Sequence, residues 1–298
     1  MNGLIKFGWL AAGISLLAAC FATAQDRIDC SAMPSKILHR DMRYCVEVPA
    51  SYDLPQFKDK HYPILYMLHG LGDNEQTLFK TGGWTLIEDL RKQGKVGDFL
   101  VVAPDGDRTF YINSADRRVL YSDFFLREFM PSIEKKYRVL RGPAARGING
   151  ISMGGYGALR FAFAYPQLFS SVSALSAALM PYSPEDLNNA ADSGSELVRT
   201  LGPVFGKPID VAHWQDNDPL VLARRHAKEL RSTAIYFNCG QTDDYGFEKG
   251  AAALDAELTK LKVPHEYRSY PGGHTFQYFL SHLPEAIEFH WRTWQTLK

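Results

Sequence analysis

The sequence predicts an α/β fold: a mostly parallel, twisted β-sheet with helices on both faces. Two observations carry that reading. Short apolar runs at residues 62–68, 98–104, 169–175 and 234–239 alternate with segments of helical spacing. Strands that lack polar alternation are those buried on both faces. The second observation is residues 146–160, where an apolar run enters Gly150-Ile151-Ser152-Met153-Gly154 and a helical pattern follows at once. A serine at a sharp strand-to-helix turn is the arrangement of a nucleophile elbow, with the hydroxyl aimed away from the strand end. Strand and helix nearly touch at such a turn, so small residues are needed two positions to either side.

Taken in order, the chain opens with Lys6, an apolar run over residues 7–21 and Ala22-Thr23-Ala24. This reads as a secretory signal peptide over residues 1–24. Leu17-Ala18-Ala19-Cys20 also fits a lipoprotein signal, after which a lipidated Cys20 would be the only membrane attachment. The run is short and rich in Gly and Ala for a span, which needs about 20 apolar residues. An exported protein, periplasmic or extracellular, is expected. Export allows disulfides. Cys30 and Cys45 flank a hairpin expected to turn near His39-Arg40-Asp41, and a bridge there would contribute about 3 kcal/mol in the chain-entropy view. Cys239 ends an apolar strand and reads as a buried free thiol.

Residues 27–298 read as one catalytic domain. Ile37-Leu38 and residues 44–49 form an expected opening antiparallel pair. Helical spacing covers residues 85–95 and 124–137, and a helix follows the elbow. Residues 176–220, scattered with Pro, Asn, Asp and Gly, read as an irregular, lid-like insertion. Its apolar residues Leu179, Met180, Leu197, Val198, Leu201, Val204 and Phe205 are expected around an acyl pocket. A strand at 234–239, a helix at 248–261, a last strand at 265–270 and a closing helix at 276–297 complete the order. The loops after Leu68, Pro104, Ile151, Cys239 and Tyr270 all fall at the carboxyl edge of the sheet, where such folds place function.

Formal charges balance, 33 against 33, which gives no reason to expect a nucleic-acid partner. No C-x-x-C pair or His/Cys cluster has metal spacing, so neither metal nor cofactor is expected.

A serine needs a base to take its proton and an acid to orient that base. Among nine histidines, His274 stands out: Pro271-Gly272-Gly273-His274 follows the last strand and brings it to the active edge. The acid should follow the strand ending at Cys239, where Asp243 and Asp244 are both available and the spacing after Gly240 favours Asp243. The order serine, acid, histidine is that of α/β-hydrolases. Acyl transfer also needs donors for a developing oxyanion. The backbone N–H of Met153 is one candidate; the second lies in His69-Gly70-Leu71-Gly72, with Leu71 preferred. Trp84, Tyr111 and Asn113, near the same edge, are candidate substrate-binding residues.

Leu68-His69-Gly70-Leu71-Gly72-Asp73-Asn74-Glu75, the Gly150–Leu159 segment, Cys239-Gly240-x-x-Asp243 and Pro271-Gly272-Gly273-His274 together resemble the esterase D-like esterases. That group includes S-formylglutathione hydrolases, feruloyl and acetyl esterases, and mycolyltransferases. The resemblance runs from about Ile37 to the C-terminus. It implies an α/β-hydrolase fold, a Ser152–Asp243–His274 triad and an oxyanion hole from Leu71 and Met153. The expected function is a secreted serine carboxylic-ester hydrolase acting on a small-molecule or carbohydrate-linked ester. An acyltransferase using a sugar or lipid hydroxyl is the alternative, and a non-catalytic binding homologue is disfavoured because no triad member is missing.

Overall fold

The computed structural model describes residues 26–190 and 196–296. The expected leader at 1–24, with Cys20, lies outside them. Eight strands form one sheet: β1 (Arg27–Ser35), β2 (Arg40–Val48), β3 (Ile64–Leu68), β4 (Leu100–Pro104), β5 (Arg146–Ile151), β6 (Ser171–Leu175), β7 (Ala234–Gly240) and β8 (Glu266–Tyr270), in the order β1-β2-β4-β3-β5-β6-β7-β8. β2 runs antiparallel to both β1 and β4, and every pairing from β4 to β8 is parallel. This is the mostly parallel sheet that the strand pattern predicts, in the α/β-hydrolase fold that the resemblance implies.

The helices in chain order are α1 (Thr77–Lys80), α2 (Gly83–Lys92), α3 (Tyr121–Phe124), α4 (Met130–Lys136), α5 (Met153–Ala164), α6 (Pro184–Ala190), α7 (Glu196–Phe205), α8 (Val211–Asn217), α9 (Pro219–Arg225), α10 (Phe247–Lys260) and α11 (Phe276–Gln295); a π-helical turn over Phe125–Phe129 joins α3 to α4. The central strands are apolar on both sides because each side has its own helical cover. Ile64, Tyr66 and Leu68 of β3 join the core under α5, α9 and α10. Leu65 and Met67 point the other way, to Ile87 and Leu90 of α2 and Leu283 and Ile287 of α11. Period-two side-chain alternation thus feeds two cores from one unbroken apolar run. Among the described residues, no helix is long and apolar enough to cross a membrane.

Two expectations need correction. The first strand begins ten residues earlier than its expected start, at Arg27. Ile37 and Leu38 sit instead in the turn, packed against the core, with the Leu38 N–H held by Ser35 Oγ at 2.9 Å. The hairpin itself is present, and Cys30 faces Cys45 across it in a disulfide, while Cys239 is a buried free thiol. The described part of residues 176–220 is largely helical rather than irregular. Its polar residues are helix starts: Ser183 and Asp186 exchange hydrogen bonds at the head of α6, and Asp210 and Asp218 cap α8 and α9. Such reciprocal caps satisfy backbone donors that a first helical turn leaves open.

The insertion is bolted to the elbow helix from within. Arg160 of α5, itself buried, donates from Nε to Asn217 Oδ1 at 2.9 Å and from Nη1 to Ser122 Oγ at 2.8 Å. One turn earlier Tyr156 donates its hydroxyl to the Asn217 carbonyl at 2.7 Å. Burial lowers the Arg160 pKa, so these two acceptors are what make its position tolerable.

Candidate active site

Ser152 occupies the corner between β5 and α5 with φ 56° and ψ −117°. A non-glycine residue in that region costs about 1–3 kcal/mol and persists only where its surroundings enforce it. Here they do: the Ser152 N–H donates to Leu175 O at 2.9 Å, and its carbonyl accepts from Ala178 at 3.0 Å and from Tyr156 at 3.0 Å. A Cβ on Gly150 would come within 2.0 Å of Gly154 O, and one on Gly154 within 2.0 Å of Leu68 O. The small residues at both flanking positions are therefore steric necessities of the turn.

The loops after β7 and β8 are laced together beside that corner. Gln241 N donates to Tyr270 O at 2.8 Å and Thr242 N to Gly272 O at 3.1 Å. Gly240 has no room for a side chain, since its Cβ would meet Gly272 O at 2.4 Å. This clasp delivers His274 to Ser152: Ser152 Oγ and His274 Nε2 are 2.8 Å apart, and His274 Nδ1 and Asp243 Oδ2 are 2.7 Å apart. Asp244, the neighbouring carboxylate, has a different task and accepts the His274 backbone N–H at 2.8 Å. The His274 ring is boxed by the edges and faces of Tyr245, Phe247 and Phe279, at centroid distances of 4.9, 5.4 and 5.0 Å. Burial pushes the Asp243 carboxyl up, but the His274 hydrogen bond and charge, with the Tyr245 and Phe247 N–H groups, hold it below its ordinary value. It is thus an acceptor at neutral pH. Cys239 lies 3.8 Å from Asp243 Oδ2, and burial with that nearby charge pushes its thiol up to about 12, so it stays protonated.

Leu71 and Met153 line the same cavity as Ser152 and His274. The Leu71 loop is shaped from behind. The Gly106 N–H donates to His69 Nε2 at 2.7 Å, which leaves the proton on Nδ1 to bond Gly70 O at 2.8 Å. Tyr111 donates its hydroxyl to the His69 carbonyl at 3.0 Å, and Asp73 N closes the turn onto Gly70 O at 3.2 Å. Gly72, at φ 87°, lets the chain turn there.

The cavity holds about 600 Å³. None of the three expected substrate-binding residues lines it. Phe110 and Tyr111 both have positive φ, at 51° and 60°, which rotates successive side chains away from one another. Phe110 reaches the cavity, whereas Tyr111 is fully buried against Gly106 and Gly157. Asn113 is spent on Asp123, donating Nδ2 to its Oδ1 at 2.9 Å. Trp84 sits in the first turn of α2, the helix that packs on α11. From residues 176–220, Met180, Tyr182, Leu197 and Thr200 line the cavity. Leu201 and Phe205 point into the core, with Phe205 against Trp214 at 4.7 Å and Phe110 at 6.0 Å. Among the described residues no group of three His, Cys, Asp or Glu is placed to hold a metal ion.

The fold and this serine–histidine–aspartate arrangement define the class: an α/β-hydrolase with the constellation of a serine hydrolase. Residues 35–290 match the family model Esterase ("Putative esterase"), and the chain belongs to that family. An esterase of Mycobacterium tuberculosis (strain H37Rv) is 29% identical over 233 residues, which cover 72% of this chain and 49% of that protein. The chain thus spans about half the length of the mycobacterial relative it matches. An acetyl esterase of Caldicellulosiruptor saccharolyticus is 25% identical over 264 residues, covering 86% of this chain and 94% of that one. Among solved structures, a ferulic acid esterase superposes with a TM-score of 0.75 at 28% identity, covering 91% of this chain and 99% of its own.

Proposed function

We propose that this chain is an exported serine esterase that hydrolyses carboxylic esters through an acyl-enzyme on Ser152. The observation that carries the reading is the unbroken relay Ser152 Oγ, His274 Nε2, His274 Nδ1, Asp243 Oδ2, with links of 2.8 and 2.7 Å, opening on a cavity. His274 takes the Ser152 proton as Oγ attacks the ester carbonyl, and Asp243 holds the ring in the tautomer that can accept it. The carbonyl oxygen gains charge as the tetrahedral centre forms. The N–H groups of Leu71 and Met153 receive it, and losing one such donor typically costs about 3–4 kcal/mol of barrier. His274 then protonates the departing alcohol. Water enters, loses a proton to His274, and releases the acid.

Four of the exposed large apolar residues, Leu71 (37%), Tyr182 (50%), Tyr245 (63%) and Phe276 (41%), stand on the wall of this one cavity. Exposed aromatics concentrated at a concave site favour a planar or ring-bearing substrate. With the likeness to an acetyl and a ferulic acid esterase, this supports small aromatic or carbohydrate-linked esters. The Cys30–Cys45 disulfide is consistent with a leader at 1–24 that directs export. The wall formed by Met180, Tyr182, Leu197 and Thr200 acts as a lid over the acyl group. A panel of acetyl, butyryl, feruloyl and long-acyl esters, run on purified protein beside Ser152→Ala, tests the proposal. Turnover of short or aromatic esters that vanishes in the variant is expected. No turnover of any ester by the wild type would refute it.

A further inference from the structure

The cavity at Ser152 has a neighbour. A groove of about 400 Å³ is lined by Arg40, Asp107, Arg108, Arg118 and, from the end of α7, Pro203 and Val204. Arg108 lines both spaces, and so does α7: Leu197 and Thr200 face the Ser152 cavity, and Pro203 and Val204 face the groove. Positions 197, 200 and 203/204 share one helical face, so the two spaces adjoin along α7, with Arg108 lining both.

Three arginines against one aspartate give the groove a local excess of positive charge in a chain whose formal charges cancel. Two of the three are already engaged. Arg40 reaches Asp107 at 3.3 Å, and Arg118 reaches Asp116 at 3.5 Å. Among the described residues Arg108 has no side-chain hydrogen bond or ion pair to a protein group. The acidic residues of the Ser152 cavity do not engage it: Asp244 holds the His274 N–H at 2.8 Å, and Asp73 sits against the Gly70 turn.

The loop that carries Arg108 is held in an uncommon shape. Asp107, Phe110 and Tyr111 all have positive φ, at 49°, 51° and 60°. The turn is pinned by Thr109 Oγ1 on Gly106 O at 2.6 Å, by Asp107 N on Asp105 Oδ1 at 3.0 Å, and by the Tyr111 hydroxyl on His69 O. Strain of this kind, kept by over-determined surroundings, is typical of loops that present a functional side chain. The same pins turn Phe110 into the cavity and bury Tyr111 beneath it.

We propose that Arg108 and this groove form an anion-recognising subsite, so that the preferred ester carries a carboxylate several bonds from the scissile carbonyl. A guanidinium presents paired N–H donors that match a carboxylate, and an unpaired one meets it without first breaking a protein ion pair. The carboxylate would lie at Arg108, on the groove side, while the ester carbonyl lies at Ser152. This inference rests on the hydrolase reading of Ser152.

The test uses two matched pairs of chromogenic esters. One pair differs by a terminal carboxylate on the acyl chain (hemisuccinate against butyrate), the other by a carboxylate on the alcohol (acetylated 4-hydroxybenzoate against its methyl ester). In at least one pair, the anionic-to-neutral ratio of kcat/KM should fall about tenfold or more in Arg108→Gln, the loss expected for a hydrogen bond to a charged group. Arg108→Lys should recover part of it. In the wild type, raising salt from about 0.05 to about 0.5 M should raise KM for that anionic ester more than for its neutral twin. Ratios unchanged by Arg108→Gln in both pairs would overturn the subsite, even if the salt effect were present. Turnover of the neutral esters by the wild type in that case would leave the hydrolase reading standing. No turnover of any of the four would remove that reading first.

Discussion

Asp243 and Asp244 are adjacent carboxylates with separate jobs, and exchanging each for asparagine tells them apart. Asp243 Oδ2 is 2.7 Å from His274 Nδ1. In the proposed mechanism His274 takes the serine proton, and the carboxylate then faces a full positive charge at roughly 4 Å between charge centres, worth about 4 kcal/mol at an effective dielectric near 20. That corresponds to about a thousandfold in rate. Asparagine also offers an N–H where an acceptor is needed, which favours the wrong imidazole tautomer, and the same exchange in the serine–histidine–aspartate template drops kcat by about 10,000-fold. Asp243→Asn should therefore lose about three to four orders of magnitude in kcat. Asp244 only accepts the His274 backbone N–H at 2.8 Å, an interaction the amide oxygen of asparagine can retain. Its exchange should cost less than about tenfold, in line with a neutral hydrogen bond replacing a charged one. Steady-state kinetics on a short chromogenic ester, with circular dichroism to confirm folding, is the assay. A loss in Asp244→Asn equal to or greater than that in Asp243→Asn would refute the assignment.

Other consequences concern the insertion and the core. Phe205→Ala should remove about 3–5 kcal/mol of stability, as for other buried aromatics, and lower activity on acetyl and longer esters alike, because Phe205 is core. Leu197→Ala, on the cavity wall, should instead shift acyl-chain preference with little change in melting temperature. Chain-length profiles beside thermal unfolding curves would separate the two. His290 is fully buried between Ser171 Oγ at 2.6 Å and Ser173 Oγ at 2.8 Å, and burial lowers its pKa to about 3. Its unfolded value is near 6.5, so this contribution is complete above about pH 6.5 and is lost as pH falls toward 3. From pH 7 to 5 the loss is about 2 kcal/mol. Denaturant unfolding of His290→Gln should therefore show a shallower fall over that interval than the wild type. Equal slopes would mean that His290 is charged in the fold.

Much of the candidate site's geometry was legible because its constraints are local. The elbow depends on backbone contacts that only small residues allow, so Gly150 and Gly154 mark it in the sequence. His274 and Asp243 follow strands, and a parallel sheet sends every such loop to one edge. What escaped the sequence depended on direction or on tertiary partners. Tyr111 and Asn113 stand in the right loop, yet two positive-φ residues turn Tyr111 inward, and apolar patterning carries no record of that reversal. β1 is half exposed and has little alternation, so its pattern is faint, whereas Ile37 and Leu38 look strand-like while packing under a turn. Prolines at 184 and 219 suggest loops, but both occupy the first turn of a helix, where a missing N–H costs nothing. Arg160 finds its acceptor at Asn217, 57 residues away, a pairing that no local pattern records.

The central claim is that Ser152 forms the acyl-enzyme. A fluorophosphonate probe, followed by peptide mass mapping, tests it most directly, since only an activated serine at such a site reacts quickly. One stoichiometric adduct on the peptide containing Ser152 is expected, with ester turnover falling in step with labelling and both absent in Ser152→Ala. Labelling at another residue, or turnover that survives in Ser152→Ala, would contradict the account.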